Sequence, residues 1–138
     1  MPKNVLSGRS HFLLGTPQGT LQGQFVASDK PVCVFKGIPY AVPPVGERRW
    51  KTAEPAPSWK GVRVATEFGP DSCQEPLPDE SIYYRYTRPM SEDCLYLNVW
   101  TETEEVASDK KRPVMVWIHG GGLTVGGASE VIFDGAEL

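Results

Sequence analysis

Residues 114–127 read VMVWIHGGGLTVGG, and this stretch decides how the rest of the chain is understood. Five apolar residues, Val114 to Ile118, stop at His119, and Gly120, Gly121 and Gly122 follow at once. Each glycine loses more backbone freedom on folding than any other residue, so three in a row need a reason. A common turn needs fewer. Three together point to backbone that must bend sharply and stay uncovered by side chains. The apolar run before them reads as a strand buried on both faces, as in a sheet flanked by helices. Leu95 to Trp100, LYLNVW, reads the same way.

Two phosphate-binding patterns fail on residues. The G-x-G-x-x-G fingerprint needs a glycine where Val125 stands, and the P-loop needs a lysine although none follows Lys111. An oxyanion hole fits better. Acyl transfer passes through a tetrahedral oxyanion, which fixed backbone N–H groups stabilise. Two neighbouring amides can reach one oxygen only where the backbone bends and no side chain intervenes. His-Gly-Gly-Gly resembles the oxyanion segment of lipases and esterases.

Bulk properties set the limits. Of 138 residues, 40% are hydrophobic and 22% charged, the balance of a folded soluble chain. A net charge of -3 gives no general attraction to nucleic acid or to anionic membranes, so neither is expected as a partner. No stretch approaches the ~18 apolar residues of a membrane span. The short apolar core Phe12-Leu13-Leu14 is no signal peptide, so a cytoplasmic location is expected, and secretion would require a different N-terminus. None of the three cysteines forms a C-x-x-C pair, and no metal site is expected. Cys33 lies in an apolar run and reads as buried. Cys73 and Cys94 flank a loop and could bridge, which the odd count leaves open.

Along the chain, residues 1–15 show no pattern and read as a tail, and residues 16–138 as one folded portion. Gly19 to Ala27 reads as a strand, Ser28-Asp29 as a turn and Pro31 to Lys36 as a second strand, giving an N-terminal hairpin. Ile38 to Pro57 carries too many prolines for regular structure, and its Tyr40 and Trp50, with Trp59 just beyond, suggest that packing pins it down. Val62 to Val64 reads as a short strand. Residues 69–91 read as a long loop whose Tyr83, Tyr84 and Tyr86 either rim a pocket or pack the loop to the body. Asp134 is a plausible N-cap for a helix starting at the chain's end.

Three segments then carry a family resemblance. Phe35 to Ala41 (FKGIPYA) with Pro43 to Gly46 (PPVG), Ser91 to Trp100 (SEDCLYLNVW) and His119 to Gly122, followed by Phe133-Asp134-Gly135, resemble the N-terminal part of type-B carboxylesterases in order. That family includes cholinesterases, p-nitrobenzyl esterases and liver carboxylesterases. The resemblance covers residues 16–138. It implies an α/β class: the N-terminal portion of an α/β-hydrolase fold, with a central mostly parallel sheet preceded by an N-terminal β-hairpin. It implies that Gly121 and Gly122 supply oxyanion-hole amides, with His119 and Gly120 supporting the turn. Leu123 stands where the family usually has phenylalanine, so it is a candidate substrate-binding residue in a roomier pocket. Arg49 and Glu92 resemble a buried salt bridge of the family. Cys73 and Cys94 resemble a pair that closes a loop in secreted members, a bridge that would be worth about 3 kcal/mol if formed.

The family's serine, acid and histidine are expected elsewhere. Ser129 lies in GASEV, which departs from G-x-S-x-G because residue 131 is valine, and no other serine has that context. In α/β-hydrolases all three triad members follow the oxyanion segment. The chain is therefore expected to be one part of an ester hydrolase of the acyl-enzyme type, without cofactor. Its expected partners are a small carboxylic ester and the missing C-terminal part of the protein. The alternative is an esterase-like binding or adhesion protein, or a truncated product, without catalysis.

Overall fold

Phe12 and Leu14 alternate with exposed neighbours and pair with a second alternating segment across the two-residue turn at Pro17-Gln18. This is the start of the fold in the computed structural model, which describes residues 11–26, 31–76, 78, 80, 88–103 and 111–136. Strand β1 runs His11–Thr16 and β2 Gly19–Phe25, antiparallel in a register that sets Thr16 against Gly19. Residues 11–15, read as tail from the sequence, thus belong to the sheet. Two-residue periodicity with a partner strand in reach outweighs the lack of a longer apolar pattern. The Ser28-Asp29 turn lies outside the described residues.

Strand β3, Val32–Pro39, supplies the centre of the core. Cys33, Val34 and Phe35 are fully buried, and Leu21 and Ala65 join Cys33 and Phe35 in one cluster with Phe12, Leu14, Ile38 and Trp59 at its margin. Phe12 meets Phe35 edge to face, with ring centroids 6.4 Å apart. β3 pairs antiparallel with β2 at Val34 and Cys33, and with β5, Tyr96–Glu102, along its other edge. The short β4, Val62–Val64, pairs in parallel with β2 at Thr20 to Gln22. The sheet order is β1-β2-β3-β5, with β4 beside β2.

Three expectations change here. Among the described strands only β2 and β4 run parallel, so this part of the sheet is antiparallel rather than mostly parallel. β5 is not buried on both faces: Leu97 and Val99 are 38% exposed while Tyr96, Asn98 and Trp100 are half-buried. Val114 to Ile118 forms no strand, and its five side chains are 67–85% exposed. An apolar run specifies burial, but a strand also needs a neighbour for its N–H and C=O groups. No described strand pairs with it.

The proline-rich segment is irregular after β3 ends at Pro39, apart from one 3₁₀ turn at Gly46–Arg48 and a bridge between Ala41 and Pro55. Trp59 anchors its far end. The indole N–H donates to Thr20 O at 3.0 Å and the Trp59 backbone N–H to Gln18 O at 2.7 Å. Trp50 does not help: it is 97% exposed with a φ of 63°. Its placement in a tight turn after Arg48 sets its direction, and apolarity does not override that geometry.

Five consecutive apolar residues, 114–118, are exposed, a contiguous patch of the kind that marks an uncovered interaction surface. The 138-residue chain alone is expected to bind a hydrophobic dye and to lose structure gradually on heating. A sharp cooperative melt without dye binding would contradict this.

Candidate active site

Gly121 and Gly122 hold φ values of 121° and 61°, a region that residues with a Cβ seldom enter. The Gly121 carbonyl receives three donors at 3.1 Å: the N–H groups of Thr124 and Val125 and the Thr124 hydroxyl. A Cβ on Gly121 would collide with the Val125 carbonyl, so glycine is required there. Gly122 differs, because a Cβ there would meet open space. Among the described residues, no atom accepts from the N–H of Gly121 or of Gly122. Two consecutive amides are therefore available to an incoming oxygen. Leu123 follows with a φ of 65° and a fully exposed side chain.

His119 supports this turn. Its Nδ1 lies 2.8 Å from the Gly120 carbonyl, which can only accept, so Nδ1 carries the proton. The ring stacks on Phe133 with centroids 6.5 Å apart. Gly126, φ 102°, closes the turn from below: a Cβ there would lie 2.7 Å from Gly120 O and 3.0 Å from His119 Nδ1.

Three polar side chains tie the turn to the rest of the chain. Gln74 Nε2 donates to Gly126 O at 2.9 Å, and the Gly126 N–H donates to Gln74 Oε1 at 2.7 Å. The Ser129 hydroxyl donates to Asp71 Oδ1 at 3.1 Å. Asn98 of β5 donates to Ala128 O at 3.2 Å while its Oδ1 accepts from the Gly37 N–H at 3.0 Å. Gly37, φ 64°, sits in the β-bulge of β3 between Phe35 and Ile38, where a Cβ would meet Glu67 O. The bulge leaves an N–H outside the ladder, and Asn98 satisfies it.

The SEDCLY segment is a small scaffold of its own. The Ser91 hydroxyl accepts from the Asp93 N–H at 3.0 Å, and Asp93 Oδ2 accepts from the Tyr96 hydroxyl at 3.0 Å. Tyr96 is held above its ordinary pKa by burial and then by this carboxylate. Arg49 and Glu92 meet side-on, with Nε to Oε1 at 2.6 Å and Nη2 to Oε2 at 2.7 Å. This bond lowers the Glu92 pKa and raises that of Arg49. The pair is not buried as the resemblance implied: the side chains are 54% and 43% exposed, because both flank loops on the surface. Solvent and salt screen it, so it orients the loops more than it stabilises them.

Cys73 and Cys94 are free thiols here, Cys73 exposed and Cys94 half-buried. Burial pushes the Cys94 thiol up, and the nearby Cys73 adds to that. Tyr83, Tyr84 and Tyr86 lie outside the described residues. Asp134 closes the 3₁₀ turn Val131–Phe133 and accepts from the Ala136 N–H at 2.9 Å, and no helix begins at it among the described residues. A hollow of about 320 Å³ between the sheet and the proline-rich segment is apolar, and its lining includes no residue of the glycine turn. Sequence reading gave no role to Gln74, Asp71 or Asn98. Asn98 alone left a signal, as the one polar residue inside an apolar strand.

The chain is similar to carboxylesterases over most of its length. The model of the carboxylesterase family matches residues 10–138. Carboxylesterase 1E of Mus musculus is 40% identical over 136 residues, which is 91% of this chain and 24% of that protein. The para-nitrobenzyl esterase of Bacillus subtilis is 40% identical over 129 residues, 94% of this chain and 25% of its own. The chain thus spans about a quarter of the length of these relatives. Among solved structures, a PNB esterase superposes with a TM-score of 0.74 at 39% identity, over 91% of this chain and 24% of the other. A Geobacillus stearothermophilus carboxylesterase gives 0.72 at 42%, over 92% and 23%.

Thiol accessibility checks the loop geometry. Burial pushes Cys33 up to about 11, so it is both covered and protonated near neutrality. In the reduced protein, Cys73 is expected to react first with an aromatic disulfide reagent, Cys94 more slowly, and Cys33 only in denaturant. Cys33 reacting as fast as Cys73, or Cys73 and Cys94 failing to react, would contradict the arrangement.

Proposed function

This chain belongs to the carboxylesterase family, and on that premise we propose that the complete protein hydrolyses carboxylic esters through a serine acyl-enzyme, with the turn at 119–122 as its oxyanion hole. The observation that carries this reading is the pair of unclaimed amides at Gly121 and Gly122, held by a turn that only glycine can make. A serine hydroxyl attacks the ester carbonyl, the carbonyl oxygen takes the charge, and the two N–H groups stabilise it more than they stabilise the neutral ester. The Gly121 carbonyl is already occupied by Thr124 and Val125, so the turn does not have to rearrange as charge develops.

The nucleophile, acid and base lie outside these 138 residues in this reading. Ser129 lies near the turn, but its hydroxyl donates to the Asp71 carboxylate at 3.1 Å. His119 is engaged with Gly120 O and stacked on Phe133, which suits a support and not a general base. The α/β-hydrolase similarity of the solved structures supports a mostly parallel central sheet in the complete protein, with Val114 to Ile118 as one of its strands. Leu123, fully exposed beside the two amides, is proposed to form part of the acyl pocket wall. No metal or organic cofactor takes part in this chemistry. The substrate is proposed to be a small carboxylic ester.

The direct test is Gly122→Val in the full-length gene product. The new side chain meets open space but must hold a φ of 61°, so the strain falls on the turn while the sheet persists, and the two amides lose their aim at the oxygen. Turnover of p-nitrophenyl acetate is expected to fall by about 10²–10³-fold, the usual effect of losing one oxyanion donor. Undiminished turnover in a variant of unchanged circular dichroism would contradict the assignment.

A further inference from the structure

Gln74 sits on the loop after β4, 52 residues before Gly126 in the chain, yet it engages both backbone polar groups of that glycine. Its amide takes the place of a neighbouring strand: Nε2 donates to Gly126 O, and Oε1 accepts from the Gly126 N–H. The second Nε2 hydrogen goes to Ser72 O at 3.1 Å. That third bond fixes the amide's orientation, because the flipped amide would set its oxygen against two carbonyls.

Gly126 is where the glycine turn leaves. The turn runs from the Gly121 carbonyl through the Thr124 and Val125 amides to Gly126, which lies directly beneath Gly120 and His119. A shift of Gly126 therefore moves the backbone that carries the Gly121 and Gly122 amides. Asp71 and Asn98 hold Ser129 and Ala128, which lie further along the chain. Among the described residues, only Gln74 grips the turn's exit from another segment.

We propose that Gln74 is a positioning residue for ester hydrolysis: its two-way pairing with Gly126 fixes the glycine turn so that the Gly121 and Gly122 amides meet the oxyanion. This rests on the oxyanion reading of that turn. Gln74 makes no contact with the two amides and does not touch the substrate in this scheme. Its effect belongs to the transition state, since a displaced donor binds the neutral ester about as well but the developing charge less well.

The test uses the full-length gene product and two variants. Gln74→Met keeps the side chain's length and removes its hydrogen bonds. It is expected to lower kcat for p-nitrophenyl acetate about tenfold or more with KM nearly unchanged, as small misplacements of catalytic groups do. Affinity for a trifluoromethyl ketone, which reproduces the oxyanion, should fall by the same factor as kcat/KM. Gln74→Glu keeps the acceptor and loses the donor when ionised, but regains a donor when protonated. Its rate relative to the wild type at each pH should therefore rise as the pH falls toward about 4, the ordinary carboxyl range.

Wild-type kcat and ketone affinity in Gln74→Met would overturn the proposal. So would a loss of thermal stability with ketone affinity unchanged. If Gln74→Met does not fold, a Gln74→Glu ratio that stays flat with pH would overturn it. Gly122→Val separates the two readings: full activity there removes the oxyanion hole and Gln74's role with it. Lost activity there beside a silent Gln74→Met removes only the latter.

Discussion

The Gly121 carbonyl is the point on which the site depends. By accepting the Thr124 and Val125 N–H groups, it folds the backbone back on itself within one turn. Only a residue without a Cβ can hold that position, and the same bend leaves two successive N–H groups without acceptors among the described residues. Gly122 is exposed and Gly121 half-buried, so water meets both donors, and in the proposed reaction the oxyanion takes the water's place.

The N-terminal sheet serves this turn from a distance. Its core around Phe35 is apolar, and its connections to the turn are polar and few. The bulge at Gly37 frees an N–H, Asn98 takes it, and the other end of the same side chain holds Ala128. The loop after β4 adds Asp71 and Gln74. Arg49 and Glu92 join the proline-rich segment to the start of β5 at the surface. Each tie crosses between segments far apart in sequence, so the turn's geometry depends on the sheet and loops that carry these side chains.

What could be read from the sequence follows from the range of each interaction. The His-Gly-Gly-Gly turn was legible because backbone strain is local and glycine is its usual answer. Strands β2, β3 and β4 were legible from short apolar runs, although β1 was lost in a segment with only one clear alternation. Val114 to Ile118 reads as a buried strand, and its burial depends on neighbours that no local pattern reveals. Trp50 looked like an anchor because tryptophan usually packs, but the turn that places it faces solvent. Gln74 gave no sign at all: nothing in Cys73-Gln74-Glu75 announces a partner 52 residues away.

The most direct measurement is a crystal structure of the full-length protein after reaction with an organophosphonate ester, which leaves a tetrahedral adduct on the nucleophile. The account predicts the phosphonyl oxygen at about 2.7–3.1 Å from the backbone nitrogens of both Gly121 and Gly122, the range of oxyanion hydrogen bonds. An adduct whose oxygen is held by other donors, with these two amides facing solvent or one another's carbonyls, would contradict it.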